Sequence, residues 1–209
     1  MQSKQLEVEF DYFMNSIQFT RVSRDVGESP NFKNADYVNV DIQTVVELKV
    51  IEKDYFENGG IIDSLHSFLP KPIEVNEEGI GLYELRLPEK NREGKHDNFE
   101  EPLRRVLKNA NRQLRDTRQY YFGKNYSNGY VIIVISKTSL IDTFTTARVV
   151  KKLLDLEFSS IDGAIICIPS YSSEIEPECV SVTNRSKPET EMLCMSIAEE
   201  WVQFSKSRK

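Results

Sequence analysis

The feature that most constrains this chain is an alternating segment at residues 35–51, which reads ADYVNVDIQTVVELKVI. In its second half, apolar residues occupy every second position, and Glu47 and Lys49 lie between them. The apolar positions are Val46, Leu48 and Val50. Because successive side chains of a strand point to opposite faces, the segment predicts a β-strand with one apolar face and with Glu47 and Lys49 as neighbours on the other.

The first half of the segment predicts a second strand that brings an aspartate to this site. If Asp41 and Ile42 form the connection, Asp36 pairs opposite Glu47, and directly opposed residues have Cβ atoms about 5 Å apart. Two carboxylates this close repel each other unless a cation lies between them, and Mg²⁺ prefers oxygen ligands such as carboxylates, water and phosphate. Lys49 can hold an attacking water and offset charge that develops on phosphorus.

A plainer interpretation of the same pattern is a solvated strand. Glu-x-Lys is a common tripeptide, and a second copy occurs at residues 93–95, in a polar stretch that we expect to be a loop. Alternating Glu and Lys also protect edge strands against aggregation. The apolar opposite face and the position of Asp36 favour the site over the solvated strand.

Asp36, ten intervening residues and then Glu47-Leu48-Lys49 at the end of an apolar strand resemble the core signature of the PD-(D/E)XK nuclease superfamily. The order of elements is similar too, over residues 4–135: an amphipathic helix, the strands of the motif, a second helix and another apolar strand. Two departures are visible. Ala35 stands where the superfamily has the Pro of its name, and a polar stretch at residues 52–99 interrupts the usual short passage from strand to helix.

The resemblance implies an α/β fold in which helices flank a central mixed β-sheet with a restriction-endonuclease-like core. Residues 1–209 would form a single nuclease-like domain, with residues 52–99 as an insertion after the Glu-x-Lys strand. The implied activity is metal-dependent hydrolysis of phosphodiester bonds. Asp36 and Glu47 would hold Mg²⁺, or Mn²⁺ in its place, and Lys49 would position and help to activate water.

A helix predicted over residues 99–122 is the second informative feature. Asn98 and Glu101 form a capping-box-like start, and Pro102 falls in the first turn, where its missing N–H costs little. An apolar stripe predicts the packed face: Leu103, Val106, Leu107, Ala110, Leu114 and Tyr121. In the superfamily a polar residue of this helix, often Gln, lies near the catalytic centre, and by that resemblance Gln113 would orient substrate or water. Its alternative is a surface amide.

The opposite face of this helix is basic. Seven Lys or Arg and one acid, Asp116, lie between Arg104 and Lys124, in a chain whose net charge is −6. Such a local excess fits a phosphate backbone, although a solvated helix face is the alternative. The residues expected to bind nucleic acid are Arg104, Lys108, Arg112 and Arg115.

The remaining pattern alternates strands and helices, as expected of α/β layers. Before the motif it predicts a helix at 4–16, in which Glu7 or Glu9 offers a third carboxylate or a surface charge, and a strand at 18–22 followed by a loop through Gly27 and Pro30. After the basic helix it predicts a strand at 130–135, a helix at 143–156 capped by Asp142, a strand at 162–168, a loop at 169–185 and a C-terminal helix at 187–205. Residues 82–87 give a strand signal within the insertion. The apolar face of the last helix fits the core or, where exposed, a subunit interface.

Composition excludes several other chemistries. Three cysteines without CxxC spacing indicate neither a disulfide framework nor a zinc ribbon, and they favour a reducing cytosol. The two histidines, His66 in a probable helical segment and His96 in a charged loop, are too few for a multi-histidine metal site and leave little from which to build a Ser-His-Asp triad. Neither a phosphate-binding GxxxxGK[ST] nor a GxSxG motif occurs. The longest apolar runs are too short to span a membrane, and no signal core is present at the N-terminus.

The sequence thus predicts a cytoplasmic, Mg²⁺-dependent endonuclease or exonuclease that acts on DNA. The acidic isoelectric point of about 5.2 disfavours strong unspecific DNA binding by the chain alone. We therefore expect a partner protein or homo-oligomer to supply recognition, as in antiviral defence or restriction systems. Two alternatives stay open: a non-catalytic module that keeps the fold and binds nucleic acid or protein, and a nuclease that cuts RNA.

Overall fold

The structure is a computed structural model that describes residues 3–27, 30–51, 89–135, 143–169, 177–184 and 190–207. The helices are α1 (Ser3–Ser16), α2 (Val22–Val26), α3 (Glu89–Phe122), α4 (Thr143–Leu156) and α5 (Glu191–Ser207). The strands are β1 (Thr20–Arg21), β2 (Tyr37–Asn39), β3 (Thr44–Ile51), β4 (Asn128–Ile135), β5 (Gly163–Ile168) and β6 (Glu178–Thr183). The chain divides into two compact units, one formed by residues 1–52 and 103–209 and the other by residues 53–102.

The first unit contains a six-stranded mixed sheet in the order β1-β2-β3-β4-β5-β6. The pairs β1–β2, β2–β3 and β5–β6 are antiparallel, whereas β3–β4 and β4–β5 are parallel. Every residue of β4 from Gly129 to Ile135 is buried, as expected for a parallel strand covered on both faces. The predicted fold class, an α/β protein with a mixed sheet flanked by helices, is confirmed.

Helices α1 and α5 pack together against one face of the sheet. The ring of Phe10 in α1 stacks on Trp201 in α5 with centroids 4.0 Å apart, and both side chains are fully buried. Val46 and Leu48 of β3 belong to the same core cluster. Full burial of each large apolar side chain stabilises the fold by about 1.5–3 kcal/mol, so this layer holds β3 firmly in place.

Helix α3 lies over the opposite face of β3. Its buried apolar stripe is Leu103, Leu107, Ala110 and Leu114. Its polar side chains Gln113 and Thr117 hydrogen-bond to Lys49 and to the backbone of Ala35. The alternation seen in the sequence therefore places Val46, Leu48 and Val50 on the α1–α5 side and Glu47 and Lys49 on the α3 side.

Most predicted elements outside the insertion are confirmed with small shifts at their ends: α1, β1, the β2–β3 hairpin, β4, α4, β5 and α5. Two short elements were not expected. Helix α2 begins where the loop through Gly27 was predicted, and β6 occupies part of the predicted loop at 169–185. The five residues of α2 are too few for a helical periodicity to stand out, whereas the alternation of Val180 and Val182 in β6 was a usable strand signal.

The predicted start of the basic helix is wrong. α3 begins ten residues earlier, at Glu89, and contains Pro102 in its interior, so Asn98 is not an N-terminal cap. Asn-x-x-Glu marks a start only when the preceding residues are not helical, and here they are rich in Glu, Lys and Arg, which favour helix. The second Glu-x-Lys copy at 93–95 and His96, both expected in a loop, also belong to this helix.

The three cysteines, whose spacing indicated no disulfide framework, include one disulfide pair. Cys167 of β5 and Cys179 of β6 are directly opposed in the antiparallel register, with Cα atoms 4.3 Å apart, and they form a disulfide. Spacing along the chain could not reveal this pairing because it depends on the register of a strand that was not predicted. Cys194 is buried and is not part of a disulfide.

Several predictions fall outside the described residues: most of the insertion, including its strand signal at 82–87 and His66, the Asp142 cap and the capping box at 186–189. Within the described part of the chain, no helix combines the length and apolar character needed to cross a membrane.

Candidate active site

The β2–β3 hairpin places Asp36 beside Glu47. The strands pair with Tyr37 opposite Val46, so one further step along both strands brings residues 36 and 47 together. The connection is a turn at 40–43 in which the N–H of Gln43 donates to the carbonyl of Val40 at 3.2 Å, with Asp41 and Ile42 as its two central residues, as predicted. Oδ1 of Asn39 accepts the backbone N–H groups of Asp41 and Ile42 at 3.1 and 3.2 Å, which fixes this turn and the register that depends on it.

Asp36 is attached to the sheet by both its side chain and its backbone. Its Oδ2 accepts the N–H of Leu48 at 2.9 Å, and its carbonyl accepts the N–H of Val22 at 2.9 Å. The carboxylate is therefore held at the edge of β3, next to the two residues that flank Leu48 in the Glu-x-Lys motif.

Glu47 is a buried acid in an unusual electrostatic setting. Its side chain is 1% exposed, and Oε1 forms an ion pair with Lys49. Oε2 is buried and has no hydrogen-bond partner among the described residues. Burial and then the nearby charge of Asp36 raise the pKa of Glu47 from 4.5 to about 8, against the opposing effect of Lys49. Without a cation, the site therefore favours the protonated form of Glu47 at neutral pH over a second negative charge next to Asp36.

Lys49 is held between β3 and α3. Its Nζ donates to Oε1 of Glu47 and, at 3.0 Å, to Oε1 of Gln113. The amide of Gln113 in turn donates from Nε2 to the carbonyl of Asn34 at 2.9 Å. The side chain of Lys49 is 25% exposed, so its ammonium group is fixed in position and still reaches solvent.

A second hydrogen bond ties the segment before Asp36 to α3. Oγ1 of Thr117, one helical turn after Gln113, accepts the N–H of Ala35 at 2.7 Å, and both residues are fully buried. A proline at position 35 would have no N–H to donate. The alanine at position 35, where the signature that the sequence resembles has a proline, thus has a physical reason in this chain.

The four residues predicted to form the site, Asp36, Glu47, Lys49 and Gln113, therefore lie together, linked by hydrogen bonds and charge. Their donor set fits a divalent cation, because two carboxylates converge and one of them has a buried oxygen without a donor. No cluster of three or more His, Cys, Asp and Glu suited to a metal occurs among the described residues. The other ligands of a cation would then be water, backbone or substrate oxygens, which is how Mg²⁺ is usually held.

Of the two glutamates of α1 considered from the sequence, Glu7 is the one near the site. It is exposed and lines a small cavity of about 180 Å³ together with Asp36, Arg21, Leu48 and Val50. Arg21 is committed elsewhere, since its Nε contacts Oδ1 of Asp11 at 2.5 Å.

The predicted nucleic-acid-binding residues separate into two groups. Lys108, Arg112 and Arg115 are exposed on α3. Arg104 is half-buried, and its Nε forms an ion pair with Glu157 at 3.0 Å, so its charge is already balanced within the fold. Arg115 also has an acidic neighbour, Asp116, at 2.9 Å.

Several residues near the site were not identified from the sequence. Thr117 lies four residues after Gln113, on the same helix face, and this spacing was a usable signal. Lys33 and Phe32 lie in an irregular segment, and Phe32 stacks on Tyr120 of α3 with ring centroids 4.9 Å apart. No local pattern predicts that contact, because it joins residues 88 positions apart in the chain.

Comparison of the chain with protein-family models, with curated proteins and with solved structures gave no match in any of the three.

Proposed function

We propose that this chain is a metal-dependent nuclease that hydrolyses phosphodiester bonds in DNA and that it belongs to the PD-(D/E)XK superfamily. One observation carries the proposal: Glu47 is buried beside Asp36 with an unpartnered oxygen, while Lys49 is held next to it by Gln113. Burying an acid in this way is unfavourable unless a cation or a proton balances its charge. A cation between the two carboxylates accounts for the arrangement.

In the proposed mechanism, Asp36 and Glu47 bind Mg²⁺, or Mn²⁺ in its place. When bound, the ion would supply a Lewis acid that polarises the scissile phosphate. The ammonium of Lys49 holds the attacking water by a hydrogen bond and stabilises negative charge that develops on the phosphate oxygens. Gln113 fixes Lys49 in place and is itself fixed by the carbonyl of Asn34.

The arrangement of elements supports a restriction-endonuclease-like core. The acid Asp36 and the Glu47–Lys49 pair lie on the two arms of one antiparallel hairpin, and the parallel β3–β4 pair follows it. Gln113 comes from the helix between those parallel strands. This is the order that the resemblance implies.

The biological setting is part of the proposal. The exposed cations of α3 support contact with a phosphate backbone, whereas the net charge of −6 opposes strong binding by the chain alone. We infer a partner protein or homo-oligomer that supplies recognition, in a cytoplasmic antiviral or restriction system. In a reducing cytosol, Cys167 and Cys179 would be present as thiols, so a thiol count on protein isolated without oxidation tests this location.

A non-catalytic interaction module is the second candidate. The observation that favours it is the closed hydrogen-bond chain from Glu47 through Lys49 and Gln113 to Asn34, which joins β3 to α3 and would stabilise the fold without any reaction.

The deciding experiment incubates the purified chain with supercoiled, linear and single-stranded DNA and with RNA, in Mg²⁺, Mn²⁺ or EDTA. The variant Asp36→Asn removes one charged ligand, and Asp41→Asn makes the same change at an exposed turn of the same hairpin. We expect metal-dependent DNA cleavage by the wild type and by Asp41→Asn, and none by Asp36→Asn. If the chain cleaves RNA and not DNA, the substrate in the proposal is wrong. Cleavage in the presence of EDTA, or by Asp36→Asn, would reject the proposed site.

A further inference from the structure

We propose that a groove beside the candidate active site binds single-stranded nucleic acid, so that the substrate of this nuclease is unpaired DNA. The choice of substrate rests on the proposed function, whereas binding of the strand does not require cleavage. The groove has a volume of about 720 Å³ and runs between α3 and the segment that precedes Asp36.

The walls of the groove carry an excess of positive charge. Lys33, Arg112 and Arg115 line it, and Asp116 is its one acid among the residues described there. Asp116 pairs with Arg115 at 2.9 Å, and the exposed Arg112 and Lys33 add two further cations. Such a groove attracts a polyanion and follows a phosphate backbone.

Aromatic rings lie beside these cations. Phe32, in the groove wall, stacks on Tyr120 with an angle of 19° between the rings. Tyr120 is 58% exposed, so part of its ring is open to solvent. Aromatic rings next to a basic groove are the usual platform for the bases of single strands, which stack on them without sequence preference. In a duplex the bases are already stacked and paired, so this platform favours an unpaired strand.

The groove adjoins the site through neighbouring residues on both of its walls. Lys33 precedes Asn34, and Arg112 precedes Gln113, and these two neighbours hydrogen-bond to each other. Three residues after Lys33 the chain reaches Asp36. A strand whose backbone follows Lys33 and Arg112 would therefore pass next to the proposed metal ligands.

The test measures binding of a fluorescent 20-nucleotide single strand and of a hairpin duplex of matched composition, in EDTA so that neither is cut. The variant Tyr120→Ala removes the exposed ring. Tyr12→Ala is the matched control, because Tyr12 is a helical tyrosine with nearly the same exposure, 57%, on α1. Thermal unfolding of each variant verifies that it is folded.

We expect the wild type to bind the single strand more tightly than the duplex. Tyr120→Ala should weaken single-strand binding by about 5- to 150-fold, which corresponds to the loss of one stacked base, and Tyr12→Ala should leave it unchanged. Arg112→Gln should lower the magnitude of the salt slope by about 0.7, the value for one phosphate contact on a single strand.

Equal affinity of Tyr120→Ala and the wild type for the single strand would overturn the proposal, and so would equal or tighter binding of the duplex. Absence of binding to either would also overturn it and leave the groove to an acidic protein segment. The proposed function fails separately: single-strand binding that depends on Tyr120, without cleavage in Mg²⁺, would support the groove and reject the nuclease.

Discussion

Nζ of Lys49 and Oε1 of Gln113 are 3.0 Å apart, a hydrogen bond between a strand and a helix whose residues are 64 positions apart in the chain. Through this contact α3 determines where the ammonium group of the Glu-x-Lys motif lies. The bond also explains why Gln113 belongs with the site although its side chain has no contact with Asp36 or Glu47 among the hydrogen bonds of the structure.

The first prediction concerns Lys49. Lys49→Met keeps the apolar stem and removes the ammonium group, so metal binding should persist while turnover falls by about 10²-fold or more. Lys151→Met, at a partly exposed lysine of α4 that pairs with Asp155, is the control and should cut at the normal rate. Turnover of Lys49→Met equal to that of the wild type would mean that Lys49 serves only the fold.

The second prediction concerns the support of Lys49 by Gln113. Gln113→Leu removes both hydrogen bonds of the amide and leaves Lys49 held by Glu47 alone, so turnover should fall, but less than in Lys49→Met. Because both residues act through one ammonium group, the double variant should be no slower than Lys49→Met alone. Multiplicative losses in the double variant would show that Gln113 acts independently of Lys49.

The third prediction separates the cations of α3. Lys108→Gln and Arg112→Gln should each weaken nucleic-acid binding and reduce the salt slope, since both side chains are exposed and lie on one helix face, four residues apart. Arg104→Gln should leave the salt slope unchanged because its guanidinium already pairs with Glu157. Its expected cost is a loss of stability of about 0.2–1 kcal/mol, typical of a partly exposed ion pair. A lower slope in Arg104→Gln would place Arg104 in the nucleic-acid interface after all.

The fourth prediction concerns pH and stability without metal. The pKa of Glu47 is about 8 in the folded chain and near 4.5 when unfolded, so the folded state retains a proton that the unfolded state loses between those values. This contribution to stability is complete below pH 4.5 and is lost as the pH rises to 8. We therefore expect the urea midpoint of Glu47→Gln, measured in EDTA, to rise relative to that of the wild type as the pH increases from 4.5 to 8.

In Glu47→Gln, Lys49 also loses its ion-pair partner, which adds a constant offset to the stability difference between the two proteins. The quantity that tests the prediction is therefore the change of that difference with pH. Parallel pH profiles for the two proteins would show that Glu47 titrates normally in the folded state. Addition of Mg²⁺ should stabilise the wild type most at high pH, where Glu47 is ionised and able to bind it.

The parts of the structure that could be predicted from the sequence are those set by interactions between residues close together in the chain. The faces of β3 follow from alternation, and the proximity of Asp36 and Glu47 follows from a hairpin in which ten residues separate the two. The register was predicted correctly because Asp41 and Ile42 are the central residues of the turn, as assumed. Gln113 required the resemblance in addition, since its partner lies on a distant strand.

The features that were missed depend on contacts between distant segments. The Cys167–Cys179 disulfide needed the register of β6, and the stacked Phe32–Tyr120 pair needed the path of an irregular segment over α3. The wrong start of α3 has a local cause. Pro102 and the capping-box spacing of Asn98 and Glu101 indicate a helix start, and the polarity of the residues before them indicates a loop.

The central claim is that Asp36 and Glu47 together hold a divalent cation. Titration calorimetry with Mn²⁺ on the wild type, Asp36→Asn, Glu47→Gln and the control Asp41→Asn tests it most directly. The account predicts one Mn²⁺ bound per chain in the wild type and in Asp41→Asn, and loss of that binding in both Asp36→Asn and Glu47→Gln while all four proteins remain folded. Mn²⁺ binding of wild-type strength in the folded Asp36→Asn and Glu47→Gln variants would contradict the account.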